Sequence, residues 1–145
     1  MSEARVVSLL GGKQAIGTKV ERELDFDIEI KKGFRFAVFV SFKKNTNLSN
    51  NILSRTLGVS PRSVERMFES RVSRIKPAVS DRLYRTAKII AFAEEALDDR
   101  DQALEWLKSK QAGLGDRCPV ELLETEAGAR EVEEELARIE HGFVA

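Results

Sequence analysis

Residues 48–70, LSNNILSRTLGVSPRSVERMFES, are the stretch of this 145-residue chain that says most about its fold. Ser49 is suited to cap a helix, and apolar residues follow at helical spacing until Gly58, a residue type that commonly ends helices. A short turn then leads to Pro61, and proline is favoured in the first turn of a helix. The stretch therefore predicts two short helices joined by a glycine-containing turn, which is the layout of a helix-turn-helix.

The second of these helices carries polar and basic side chains where such a motif meets DNA. In helix-turn-helix proteins the N-terminal residues of the second helix enter the major groove. Arg62 and Arg66 are four residues apart and share one helix face, and arginine can contact guanine or phosphate. The predicted DNA-binding residues are Ser60, Arg62, Ser63, Arg66 and Arg71. An ordinary helical hairpin with solvated arginines has the same pattern, so both interpretations stay open.

Three other residue types predict further helix ends. Pro77 and Pro119 each favour a helix start, and apolar residues recur at helical spacing from Pro77 to about Leu97. Thr125 can cap a final helix, and Gly142 is suited to end it. The sequence after residue 76 therefore predicts helices throughout.

Residues 24–42 allow two local interpretations. Apolar residues alternate with charged ones, which is typical of strands, and the local pattern favours a hairpin around residues 31–33. Phe36, Phe39 and Phe42 also fit helical spacing. The cluster of phenylalanines exceeds what one small core requires, and we predict that it contributes to a dimer contact.

The formal net charge of zero conceals a strong asymmetry along the chain. Residues 1–47 carry nine basic and six acidic residues, and residues 48–90 carry nine basic and three acidic residues. Residues 91–145 carry six basic and fifteen acidic residues. A basic middle and an acidic C-terminal part suggest a polyanion and a basic surface as two different partners. Solvated helix faces would give the same counts, which leaves that simpler interpretation open.

The chain offers no set of residues that indicates catalysis. His141 is the only histidine and Cys118 the only cysteine, so neither an intrachain disulfide nor a metal cluster is expected. The longest apolar run, residues 36–40, is far too short to span a membrane, and the first residues do not resemble a signal peptide. We therefore predict a cytoplasmic, non-enzymatic protein without catalytic residues, metal or cofactor.

Several stretches carry a resemblance to a known family. They are LGG (10–12), LS (48–49), LGVSPRS (57–63), SDRL (80–83), ALEWL (103–107), LGDR (114–117), PVELL (119–123), TEAGAREVE (125–133) and IEHG (139–142). With these motifs the chain resembles the Xre-type antitoxins that partner RES-domain toxins. Those antitoxins share a toxin-binding C-terminal domain with MbcA- and ParS-like antitoxins.

The resemblance implies an all-α fold, in which residues 1–78 form an Xre-like helix-turn-helix domain and residues 79–145 a helical toxin-binding domain. It therefore favours helices over residues 24–42. It also implies a homodimer that binds the operator of its own operon as a repressor. The acidic tail would cover the active site of a RES toxin, an NAD-degrading enzyme. The toxin contacts implied in this way are Glu131, Glu134, Arg138, Glu140, His141, Gly142 and Phe143.

The resemblance has departures that keep other functions open. Family members usually have a leucine-rich helix where this chain has residues 34–42, and a small or polar residue in place of Cys118. DNA specificity could therefore be altered, or DNA binding lost. One alternative is a stand-alone helix-turn-helix regulator whose tail binds an effector or mediates dimerisation. Another is a toxin-capping protein that does not bind DNA.

Overall fold

The computed structural model describes residues 3–70 and 72–142, and these ranges contain helices and no strand. The predicted all-α fold class is confirmed. The α-helices are α1 (Glu3–Leu9), α2 (Gly12–Ile16), α3 (Glu23–Lys32), α4 (Phe36–Thr46), α5 (Asn50–Leu57), α6 (Pro61–Ser70), α7 (Pro77–Leu97), α8 (Arg100–Lys108), α9 (Pro119–Leu122) and α10 (Glu126–Glu140). A short 3₁₀ helix, Ala112–Leu114, lies between α8 and α9.

The described residues divide into two compact units, and the boundary lies between Ala87 and Lys88, inside α7. We call the part up to Ala87 the N-terminal unit and the part from Lys88 the C-terminal unit. Each unit has its own set of fully buried apolar side chains. The functional division between residues 78 and 79 stays a prediction.

The helix starts follow the local signals in the sequence. α6, α7 and α9 begin at the three prolines, as predicted. Ser49 caps α5, because its hydroxyl accepts the Ile52 N–H at 3.2 Å. Satisfying the N–H groups of the first turn in this way stabilises a helix by about 1 kcal/mol.

The hairpin favoured by local alternation in residues 24–42 is wrong, because this region forms α3 and α4. In α4 the buried apolar side chains are Val38, Phe39 and Phe42, which follow helical rather than strand spacing. In α3 the alternating apolar residues fall on different sides: Phe26 is fully buried, whereas Leu24 is exposed. Packing around one core therefore overrides the local alternation.

The phenylalanines of this region belong to the core of the N-terminal unit. Phe34, Phe39 and Phe42 are fully buried, and the Phe39 ring lies 4.8 Å from that of Phe68 on α6. The prediction that the aromatic cluster exceeds the needs of the core is therefore wrong for these three residues. Phe39 stabilises the packing of α4 against α6, and all three side chains are buried and therefore not available to a second protein molecule.

The connection between α3 and α4 contacts the segment that precedes α7. The Phe34 carbonyl accepts the Ile75 N–H at 2.8 Å, and the Phe34 N–H donates to the buried hydroxyl of Ser80 at 2.8 Å. Arg74 donates to the Gly33 carbonyl at 2.7 Å. Gly33 has a φ of 84°, and a Cβ there would lie 2.1 Å from the Ile75 carbonyl oxygen. Only glycine allows two backbone segments to approach this closely.

The C-terminal unit is built on the packing of its last two helices. Val132 and Leu136 of α10 are fully buried, as is Leu123 just after α9. Gly128 in the first turn of α10 lies against the end of α9, where a Cβ would come 2.0 Å from the Leu122 carbonyl oxygen. This close approach fixes the position at which α10 begins.

Candidate functional site

The turn between α5 and α6 is a short, glycine-capped connection between two helices. Gly58 adopts a left-handed conformation with a φ of 70°, and the Val59 N–H donates to the Ser54 carbonyl at 3.0 Å. These features end α5 in the manner of a glycine C-cap. A Cβ on Gly58 would lie 2.4 Å from the Arg82 guanidinium. No local sequence signal indicates this neighbour, because Arg82 is 24 residues away along the chain.

The predicted DNA-binding residues divide into a cap and an exposed face. The Ser60 hydroxyl accepts the Ser63 N–H at 3.0 Å and lies 2.9 Å from the Ser63 hydroxyl, so both serines stabilise the start of α6. Arg62 and Arg66 are exposed, one helical turn apart. Arg71 lies outside the described residues. The structure thus brings two of the predicted arginines to one accessible face, and their contact with DNA stays a prediction.

The acidic helix α10 begins and ends as the sequence predicts. The Thr125 hydroxyl accepts the Gly128 N–H at 3.0 Å, and Glu126 occupies the first turn, where the helix dipole favours negative charge. At the other end the Gly142 N–H donates to the Ile139 carbonyl at 3.0 Å, and Gly142 has a φ of 76°. The last described residues thus stop the helix at a defined point.

The face of α10 opposite its buried side is polar and accessible. Glu131 and Glu134 are exposed and, with Arg130, border an open groove along this helix. Of the other predicted toxin contacts, Arg138, Glu140, His141 and Gly142 are also exposed. Phe143 lies outside the described residues. We call the set Glu131, Glu134, Arg138 and His141 the polar face of α10, whereas Glu140 is exposed at the end of the helix, one turn beyond the buried Leu136.

One acid of α10 does not share this exposure. The sequence shows Glu135 within an acidic run, which is typical of a solvated face, but the residue is 5% exposed. Its carboxylate forms an ion pair with Arg138 and lies against Gly113, where a Cβ would come 2.2 Å from the carboxylate oxygen. Hydrogen bonding to Glu135 raises the pKa of Arg138. Arg138 is exposed, and through this ion pair it also stabilises the buried carboxylate of Glu135.

The described residues were searched for metal sites and for membrane-spanning helices. Within residues 3–70 and 72–142, no group of three or more His, Cys, Asp and Glu side chains could hold a metal ion. In the same ranges, no helix combines the length and apolar character needed to cross a bilayer.

Comparison with protein families assigns a class to the C-terminal unit. Residues 92–142 match the model of the Antitoxin Xre/MbcA/ParS C-terminal toxin-binding domain. This range includes the end of α7 and all of α8, α9 and α10. The polar face of α10 therefore lies within a toxin-binding domain.

Curated relatives extend the match beyond this domain. The chain is 32% identical to an Antitoxin Xre of Yersinia enterocolitica over 128 residues, which are 88% of this chain and 86% of the relative. It is 35% identical to an Antitoxin Xre of Photorhabdus laumondii over 84 residues, covering 55% of this chain and 57% of the relative. An Antitoxin Xre of Pseudomonas putida is 35% identical over 81 residues, or 54% and 51% of the two chains.

The chain therefore belongs to the Xre antitoxin family. It is an antitoxin with a toxin-binding C-terminal domain, and its family is not one of enzymes. The prediction of a non-enzymatic antitoxin is confirmed by these matches. They favour it over a stand-alone transcriptional regulator, because a toxin-binding domain occupies the part of the chain that the regulator hypothesis assigned to an effector.

Proposed function

We propose that this antitoxin neutralises a cognate RES-domain toxin in the cytoplasm by covering the NAD-binding active site with α10. We also propose that it acts as a homodimer and represses its own operon through α6. The observation that carries the first proposal is the polar face of α10, whose exposed acids lie inside the toxin-binding domain.

Charge complementarity supports α10 as the inhibitory element. An active site that binds a dinucleotide diphosphate has to be electropositive, and an acidic helix complements such a surface. Glu131 and Glu134 are exposed on one side of α10, while Val132 and Leu136 secure the helix from the other side. The acids can therefore engage a partner without loss of the core.

Growth rescue with charge-reversal variants tests this proposal. The cognate toxin is expressed with wild-type antitoxin or with the double variant Glu131→Lys, Glu134→Lys, while growth and cellular NAD are followed. We expect the wild type to restore both and the double variant to fail, because two lysines would face an electropositive surface. Point variants are preferable to truncation before α10, since truncation would expose the core that Val132 and Leu136 cover.

Glu105→Lys provides the matched control, because Glu105 is exposed on α8 in the same unit. It should protect cells as the wild type does. Protection by the double variant, at equal expression, would contradict capping through α10. A wild-type protein that fails to restore NAD while binding a different toxin would refute the RES assignment.

Operator binding is supported by the α5–α6 geometry. The glycine turn, the Ser60 cap and the exposed Arg62 and Arg66 correspond to the parts with which a helix-turn-helix enters the major groove. The excess of basic residues over residues 48–90 would strengthen attraction to the phosphate backbone.

A further inference from the structure

Glu135 lies at the border between the buried side of α10 and its polar face. The residue is 5% exposed, and its carboxylate accepts a hydrogen bond from the guanidinium of Arg138 at 2.5 Å. Arg138 keeps 48% of its side chain exposed. One partner of this ion pair therefore belongs to the interior of the toxin-binding unit, and the other reaches its surface.

Stability alone gives little reason for a charged side chain at position 135. Removing a carboxylate from water is costly, and an apolar residue of similar size often serves a core as well as a buried ion pair does. Val132 and Leu136 are fully buried beside Glu135, so an apolar side chain there would extend the same core. What the ion pair adds is a restraint on the long side chain of Arg138, which would otherwise sample many rotamers.

Gly113, in the 3₁₀ helix before α9, provides the space for this carboxylate. The three atoms nearest to a Cβ at Gly113 would all belong to the carboxyl group of Glu135, at 2.2–2.6 Å. Gly113 does not have a positive φ, so alanine would fit its backbone. Gly113→Ala should therefore displace the carboxylate without straining the backbone, which gives a second way to disturb the ion pair.

We propose that Glu135 is a positioning residue for toxin recognition, which holds Arg138 so that its remaining N–H groups face a carboxylate of the toxin. Arg138 is the basic residue in the last turn of α10, whereas Glu131 and Glu134 on the same polar face are acidic. An electropositive toxin surface complements these two acids but repels Arg138, so an acidic group has to lie opposite the guanidinium. The planar fork of arginine suits a carboxylate partner.

A fixed guanidinium contributes to both affinity and register. Because Arg138 is held in place before binding, less side-chain entropy is lost when the toxin binds. A shift of α10 by one helical turn along the toxin would put Arg138 where Glu134 belongs, against a basic surface, and such a register is disfavoured. The inference rests on the capping by α10 in the proposed function and specifies the chemistry that the toxin presents at one point.

Dissociation of the full-length antitoxin from immobilised cognate toxin, together with urea unfolding, tests the proposal. We expect Arg138→Ala to speed dissociation about ten-fold or more, because it removes charge-assisted hydrogen bonds at the interface. Glu135→Gln and Gly113→Ala should each speed dissociation about two- to ten-fold, the effect of having to order one long side chain. In the Arg138→Ala background, Glu135→Gln should have no further effect, because Glu135 acts through Arg138.

Glu94→Gln is the matched control, since Glu94 is 4% exposed in the same unit and pairs with Arg100 at 3.0 Å. It also removes the charge of a buried acid, so it should lower the urea midpoint but leave toxin dissociation unchanged. Wild-type dissociation of Arg138→Ala, or an effect of Glu135→Gln that persists in full without Arg138, overturns the proposal.

Failure of this inference can be distinguished from failure of the proposed capping. If the double variant Glu131→Lys, Glu134→Lys loses the toxin but Glu135→Gln dissociates as the wild type does, only the positioning role of Glu135 is refuted. If the double variant also dissociates as the wild type does, α10 is not the inhibitory element and both proposals are wrong.

Discussion

Gly128 shows how the absence of a single carbon atom sets the geometry of the toxin-binding unit. Its backbone dihedrals are helical, and alanine in a helix is ordinarily about 1 kcal/mol more stable than glycine. Here a Cβ would lie 2.0 Å from the Leu122 carbonyl oxygen, which is backbone and has no freedom to rotate away. The steric effect therefore opposes the intrinsic preference of the helix.

We predict that Gly128→Ala destabilises the protein by about 1–3 kcal/mol, the usual cost of overpacking a well-ordered interior. Urea unfolding followed by circular dichroism measures the change. The neighbouring Ala127 is exposed, and Ala127→Gly should cost about 1 kcal/mol through helix propensity alone. A more stable Gly128→Ala protein would show that α9 and α10 separate more easily than their contact indicates.

Asp25 stabilises the start of α3 through its ionised carboxylate. The carboxylate accepts the N–H groups of Glu21 and Arg22, each at 3.0 Å. These hydrogen bonds, above all that from Glu21, lower the pKa of Asp25 below its ordinary value of 3.8. A pKa that is lower in the folded state contributes stability above the unfolded value, and this contribution is lost as pH falls through the folded value.

We therefore expect Asp25→Ala to lower the urea midpoint at neutral pH. The difference from the wild type should begin to shrink as pH falls below 3.8 and decrease further through the lowered pKa of Asp25. Unfolding curves at a series of pH values measure both trends. A difference that does not vary with pH would mean that Asp25 acts through helix propensity rather than through its charge.

At the scale of elements, α6 and α10 share one arrangement, in which one side of the helix is buried and the other is exposed and charged. Each buries one side in its own unit, Val64 in α6 and Val132 with Leu136 in α10. The opposite side carries Arg62 and Arg66 together with Glu65 and Glu69 in α6, and it is mainly acidic in α10. The buried apolar side holds each helix in place. Substitutions on the exposed charged side can therefore alter which kind of partner the helix binds, with little effect on the fold.

For α6 we predict that Arg62→Ala and Arg66→Ala each weaken binding to the upstream region of the operon. Loss of a phosphate contact reduces the slope of log affinity against log salt by about one, whereas loss of a base contact costs about 1–3 kcal/mol at one position of the site. Mobility shifts at several salt concentrations distinguish these cases.

Arg130→Ala serves as the control for this measurement, since Arg130 is exposed on α10 and pairs with Glu126. It removes one positive charge from the other unit and should leave DNA affinity unchanged. A wild-type protein that gives no shift even at low salt would refute operator binding.

At the scale of the whole molecule, the two proposed interfaces belong to different compact units. We therefore predict that toxin neutralisation and DNA binding can be separated. The double variant Arg62→Ala, Arg66→Ala should rescue growth but give no mobility shift. The double variant Glu131→Lys, Glu134→Lys should shift DNA but not rescue growth. A folded variant, with native circular dichroism, that loses both activities would show that the two interfaces depend on each other.

Much of the fold could be predicted from local signals. Prolines 61, 77 and 119, the Ser49 and Thr125 caps and the Gly58 stop act within one helical turn, so the sequence contains their whole environment. The opposite net charges of residues 48–90 and 91–145 can likewise be counted from the sequence alone. The exposure of Arg62 and Glu131 could be predicted because the helical period alone places them away from the apolar side, and their contacts with partners stay predictions.

What only the tertiary structure decided depends on segments that are distant in sequence. Residues 36–42 lie in a helix whose Phe39 and Phe42 are buried and whose Phe39 ring packs against Phe68 of α6, although the local alternation fitted a strand. Glu135 lies against Gly113 and is buried, although its position in a run of acidic residues predicts an exposed side chain. The local sequence pattern reflects the conformational preference of a segment. Burial and close backbone approach are instead set by the atoms that folding brings beside the segment. These tertiary contacts decide the structure wherever the local preference is weak.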